Sequence, residues 1–265
     1  MCKYLEVARL SFKMQIVWRF DVAMTMVAIF GRITAGWIIW TVIFTGKESA
    51  GGFTLHTMLT YYLICSLLSS IDFSNQISGE LNYLIRDGKF SGHMVTPMNP
   101  LPYFCSLVAG ESAFHLGFGL LITFICAAVF HINVTLTANP ALILIALAMI
   151  IMGLTFLACF QYILGILTFH YLDINFLLHV QESVVAFVTG SMVPLSLLPR
   201  AALRVLRLLP FPHVIYTPAT LLTGQAGAGE GLFGLFVLGV WTVVTPLFAN
   251  RLYHRLRARY DGVGI

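Results

Sequence analysis

The chain has 265 residues, of which 58% are hydrophobic and only 10% charged, with a formal net charge of +4 and a mean hydropathy of +0.88. Soluble domains carry about 25% charged residues, so these proportions exclude an ordinary water-soluble enzyme. They point to one polytopic helical domain, 1–265, with loops too short for a second domain, and the small positive excess fits membrane topology rather than a nucleic-acid partner.

Residues 1–21 do not read as a crossing segment. Lys3, Glu6, Arg9 and Lys13 recur at helical spacing on one stripe, while Leu5, Ala8, Phe12 and Ile16 occupy another, apolar face. A helix divided in this way is expected to lie in the membrane interface. No cleavable leader is expected, because the first long apolar run begins only at Val22.

A hydrocarbon core about 30 Å thick needs about 20 apolar residues per crossing helix. The stretches 22–45, 53–71, 101–132, 141–169, 174–195 and 232–249 are read as such helices. Lys3, Arg9, Lys13, Arg19, Arg86, Lys89, Arg251, Arg255, Arg257 and Arg259 fall on one side of that arrangement. Lys47, Arg200, Arg204 and Arg207 fall on the other. The basic side is the cytoplasmic one, so both termini are expected inside the cell.

Two connecting segments stand out. Residues 76–100 are short and charged, with Arg86, Asp87 and Lys89 flanking Gly88 beside apolar Leu84, Ile85 and Phe90. A short amphipathic element of this kind docks into a groove of a soluble partner. Residues 196–230 are broken by Pro199, Pro210, Pro212 and Pro218, with Pro194 just before them. Arg200, Arg204 and Arg207 share one face there, so a re-entrant or amphipathic pair of half-helices on the outer side is expected. The glycine-rich run 224–234 lacks the Lys-Ser/Thr of a phosphate loop.

Charges inside apolar runs mark function or helix pairing. Arg32 and Glu111 sit equally far into their stretches, about 15 Å at 1.5 Å per residue. That equality predicts an ion pair between them or a shared contact with substrate; an ion pair that only joins helices is the alternative. His179 and Glu182 share a helical face as a polar seam, with Asp173 at the start of that stretch. They are too few for a metal centre, which needs three or four ligands. Cys2, Cys65, Cys105, Cys126 and Cys159 show neither disulfide nor zinc spacing, and no catalytic constellation is present.

The stretch 76–104 carries Gly92, Val95, Pro97, Met98, Asn99, Pro100, Leu101 and Tyr103. It resembles the cytoplasmic loop between the second and third helices of type-2 class ABC exporter permeases, in particular the viologen-exporter-like permease family. His93 and Met94 depart from that family's usual charged and leucine positions. A second stretch, 188–225, carries Gly190, Pro194, Pro199, Leu209, Pro210, Phe211, Pro218, Ala219 and Gly224, and is similar to the same family's outer segment. The two stretches and the helix count together cover most of the chain.

The resemblance implies an all-α membrane fold. It comprises six transmembrane helices with an N-terminal interfacial helix, a cytoplasmic coupling helix and an extracellular re-entrant or amphipathic helix pair. It implies ATPase coupling through Leu84, Ile85, Arg86, Asp87, Gly88, Lys89 and Phe90, and an extracellular gate at Gly190, Pro194, Pro199, Pro210 and Pro218. Arg32, Glu111 and Glu182 are the expected lining of a translocation path. This chain would bind no cofactor of its own. ABC ATPase subunits would supply ATP and Mg, beside a second permease that is the same chain or a different one, in a bacterial inner membrane. Two rival readings are an ion-coupled secondary transporter working through Arg32, Glu111 and Glu182, and a membrane scaffold that transports nothing.

Overall fold

The computed structural model describes residues 2–49, 51–96, 98–171 and 173–257, without the side chains of Cys2 and Arg200. Pro97 of the resemblance motif, Arg259 of the basic side and the position of the Arg200 guanidinium therefore lie outside the described residues. All regular structure within them is helical. It comprises α1 (Cys2–Val17), α2 (Arg19–Ile43), α3 (Leu55–Ser70), α4 (Asn75–Arg86), α5 (Ser91–Val95), α6 (Pro100–Val129), α7 (Pro140–Ile166), α8 (Asn175–Val188), α9 (Arg200–Leu206), α10 (Tyr216–Leu222) and α11 (Ala228–Leu256). A 3-10 turn, Leu167–Phe169, continues α7.

The starts of the long helices follow from local chemistry. Thr54 and Thr57 form a capping box at α3. Pro100 and Pro140 open α6 and α7, where a missing N–H costs nothing, and Asn139 caps the second of these.

Among the described residues, four helical segments are long and apolar enough to cross a membrane: Arg19–Ile43, Pro100–Val129, Pro140–Phe169 and Ala228–Leu256. The other two expected crossings, 53–71 and 174–195, form shorter helices. α3 spans 16 residues and α8 spans 14, about 24 and 21 Å at 1.5 Å per residue, less than the hydrocarbon thickness. The stretch 174–195 reads as one apolar run in sequence, but Gly190 at a φ of 77° turns the backbone before the run is complete.

The bundle has two ends. α2 and α6 run from the Gly88 end to the Gly190 end, where Trp37 stacks on Phe130 at 4.9 Å. α3 returns antiparallel, with Ser70 against Gly119 of α6 and Thr60 bonded to Thr135 beyond it. α7 and α11 descend side by side, with Gly231 against Ile145, Gly234 against Met149 and Tyr253 near Tyr162. Small residues allow the backbones to approach closely, which drives helix association in lipid, where the hydrophobic effect does not.

α1 lies alongside α6 and parallel to it. The Asn99 N–H donates to the Tyr4 hydroxyl at 3.2 Å, Ser11 Oγ donates to the Leu107 carbonyl at 2.8 Å, and Gln15 Nε2 donates to Glu111 at 2.7 Å. The seam is small and polar, built from Tyr4, Ala8, Ser11 and Gln15. Leu5 and Ile16 of the apolar stripe are exposed instead.

Candidate functional site

α4 is amphipathic because Ile77, Leu81 and Ile85 recur every fourth residue and all are buried, while Glu80, Tyr83 and Arg86 face outward. Its seat on α7 is Gly165, where an added Cβ would lie 2.7 Å from Leu81 Cδ1 and 3.1 Å from Ser78 Cα. Gly88 then takes a left-handed φ of 72°, and the Phe90 N–H closes the turn on the Leu84 carbonyl at 2.9 Å. Phe90 is 0% exposed and packs edge-on against Phe169 at 5.3 Å and Tyr253 at 6.3 Å. Burying such a ring contributes about 1.5–3 kcal/mol. The base of the hairpin is therefore fixed.

Its tip is charged. Arg86 pairs with Asp173 at 3.6 Å and Asp87 with Lys89 at 3.3 Å. Such exposed pairs are screened by water and add little to stability, which leaves the tip accessible. Hydrogen bonds to Tyr83 and Asp87 raise the Lys89 ammonium above the usual lysine range.

Behind the hairpin, α4, α7 and α8 are joined by a part-buried polar ladder that the sequence reading missed. In one rung Gln161 Nε2 donates to Asn75 Oδ1 and to Gln181 Oε1. In the other, Asn82 donates to Asn175 at 2.9 Å and accepts from Thr168 at 3.2 Å. Both Asn75 to Asn82 and Gln161 to Thr168 are heptad steps, so both pairs stay on one face. A lone Gln in the most apolar stretch was the available signal.

Above the ladder opens a cavity of about 520 Å3 lined by Arg32, Asp72, Ser74, Gln161, Glu182 and Ser191, among others. Gln161 is 1% exposed, yet its Oε1 has no hydrogen-bond partner among the described residues. An unpaired buried polar atom costs about 1–3 kcal/mol, so such atoms fit a polar visitor. Burial raises the Asp72 carboxyl above the usual carboxylate range.

The structure brings Arg32 and Glu182 to this cavity but not Glu111. The expected Arg32–Glu111 ion pair is corrected. Glu111 instead accepts from Gln15 at 2.7 Å and Gln76 at 3.2 Å. It lines a separate pocket with Trp18, Asp21 and His115. One carboxylate thus joins α1, α4 and α6. Substituting Glu111→Leu should cost about 1–3 kcal/mol and lower the thermal midpoint in detergent by about 2–10 °C. Glu111→Gln, which keeps an acceptor, should lose less; equal melting of Glu111→Leu and wild type would remove this bridging role.

At the opposite end, Gly190 is pinned by its carbonyl to the Tyr61 hydroxyl at 2.7 Å, and Tyr216 N–H bonds the Thr189 carbonyl at 3.1 Å. Pro194 is buried, Pro199 begins α9, Pro210 begins a short 3-10 turn and Pro218 sits in the first turn of α10. Val214, between the last two, packs on Gly153, about 20 Å along α7 from Pro140. The segment therefore folds back into the bundle. Arg207 pairs with Glu230 at 3.0 Å and faces a pocket shared with Arg204 and His213.

Residues 30–264 match the model of the ABC-2 family transporter protein. The chain belongs to the ABC-2 transporter family. No curated protein and no solved structure matches it. As an ABC-2 family protein it is a multi-pass permease component of an ABC transporter. Components of this family lack a nucleotide-binding domain, and membership implies ABC ATPase subunits as partners. In this ABC-2 permease the hairpin and the polar cavity share the α4–α7–α8 ladder.

Proposed function

We propose that this permease is the membrane subunit of an ATP-driven exporter of the viologen-exporter-like kind. A separate ATPase pair grips residues 84–90 and drives alternating access. The observation that carries the reading is the hairpin itself, a charged, turned tip on a base immobilised by Phe90, Leu81 and Gly165. Load applied at Arg86, Asp87 and Lys89 passes into α4 and through the two polar rungs to α7 and α8.

α3 and α8 complete six crossings, short ones that local bilayer thinning accommodates. The Gly88 end, where Arg86, Lys89, Arg251, Arg255 and Arg257 gather, is cytoplasmic by its basic excess. Arg32 and Glu182 are exposed within the bundle's own surface. Each costs about 2.5–3.5 kcal/mol at membrane depth unless covered, so a second permease, identical or different, closes the path around them. Gly190, Pro194, Pro199, Pro210 and Pro218 hold the fold-back segment that gates the outer side.

Purified alone, the chain should not hydrolyse ATP; reconstituted with its ATPase, hydrolysis and uptake into inside-out vesicles should both appear and both stop with vanadate. Hydrolysis by the isolated chain, or transport that ignores vanadate and collapses with an ion gradient, would refute the proposal.

A further inference from the structure

At the Gly88 end a different cavity, of about 450 Å3, opens between α5, the first turn of α6 and the last turns of α11. Along α11 its wall changes from Pro246 and Leu247 through Asn250 to His254 and Arg257. α6 contributes Leu101 and Pro102 to the lining. No Asp or Glu is among the described residues that line it.

Three further observations point to an anionic visitor. The Arg257 guanidinium rests over the Tyr253 ring at 5.4 Å, which orders the cation without neutralising it. Asn99 makes no side-chain cap at α6, so the positive end of a 30-residue helix faces the same opening. Tyr162, 1% exposed, also lines the cavity, and a phenol can donate a hydrogen bond to an anion. A cleft that is apolar at one level and cationic about 10–15 Å further along the same helix matches an amphiphile with an anionic head, not a soluble ion.

We propose that this cleft is a binding site for an anionic phospholipid, with its phosphate at His254 and Arg257 and its acyl chain along Leu247 and Leu101. Basic pockets between membrane helices hold such headgroups. Assignment to the cytoplasmic leaflet rests on the orientation proposed above, whereas binding does not.

The test is native mass spectrometry of the full-length protein in detergent, titrated with phosphatidylglycerol or phosphatidylcholine. Wild type should retain phosphatidylglycerol at least about fivefold better, the factor expected per basic group. The double variant His254→Ala, Arg257→Ala should retain the two lipids equally, Arg257→Lys should keep most of the preference, and Lys47→Ala at the other end should keep all of it. Inorganic phosphate at millimolar concentration should not displace the lipid. Equal retention by wild type, an unchanged preference in the double variant, or full displacement by phosphate would overturn the proposal. No ATP or partner enters the measurement, so failure here leaves the permease reading standing, and loss of coupled transport would leave this site standing.

Discussion

Gly165→Leu is expected to reduce ATP-driven transport by about 5–150-fold, the range of a coupling change of about 1–3 kcal/mol. An added Cβ at this position would lie 2.8 Å from Leu81 Cβ and 3.1 Å from Ser78 Cα. The second contact is backbone, so no rotamer change relieves it and α4 must move away from α7. Overpacking of a filled interface costs about 1–3 kcal/mol. The same shift is expected to lengthen the bonds from Asn75 and Asn82 to Gln161 and Thr168, which are the proposed route from hairpin to cavity. Gly165→Ala, with one methyl and no branch, should fall between the two. The measurement is vanadate-sensitive uptake beside the stimulation of the partner ATPase. Full uptake by Gly165→Leu would show that the seat of α4 does not transmit the stroke.

The second large effect is expected at Gly88. Its φ of 72° suits glycine, whereas a residue with a Cβ pays about 1–2 kcal/mol in the left-handed region, and a β-branched residue is worst placed there. Gly88→Val should therefore swing Asp87 and Lys89 out of their present orientation and lower ATPase stimulation by about tenfold, the equivalent of 1.4 kcal/mol. Gly88→Asn should keep most of it, because asparagine tolerates this conformation. Valine and asparagine differ little in size, so their order separates backbone conformation from bulk. Equal activity of both variants would remove the turn geometry from the coupling argument.

The position of the turn was legible, since a glycine between charges and beside apolar residues marks a reversal, and the φ at Gly88 is of that kind. The helical, membrane-embedded character was equally legible from uninterrupted apolar runs. The number of full crossings was not. Window hydropathy adds 189–195 to α8 without registering that Gly190 leaves the helix, and it cannot say that α3 ends at Ser70.

The ladder was invisible for a different reason. Asn75, Asn82, Gln161, Thr168, Asn175 and Gln181 come from three separated stretches, of which only Gln161 stands out by itself, and only their convergence gives them partners. Glu111 is the sharpest case. Depth in the membrane follows from counting residues at 1.5 Å each, and on that count Arg32 was its natural partner. The direction a side chain faces around its helix depends on which neighbours pack there. The close approach of Ala8 to Gly110 brings Gln15 to Glu111, while Arg32 lines a different cavity with Glu182 and Asp72.

Composition and charge order alone determined that this chain lives in a bilayer as apolar helices and which end is basic. These are sums of local transfer and propensity terms that need no knowledge of neighbours. The tertiary structure alone decided which polar groups meet, where the cavities lie and how the hairpin is anchored. Those outcomes depend on helix rotation and close approach, and rotation is set by long-range packing that no single stretch of sequence contains.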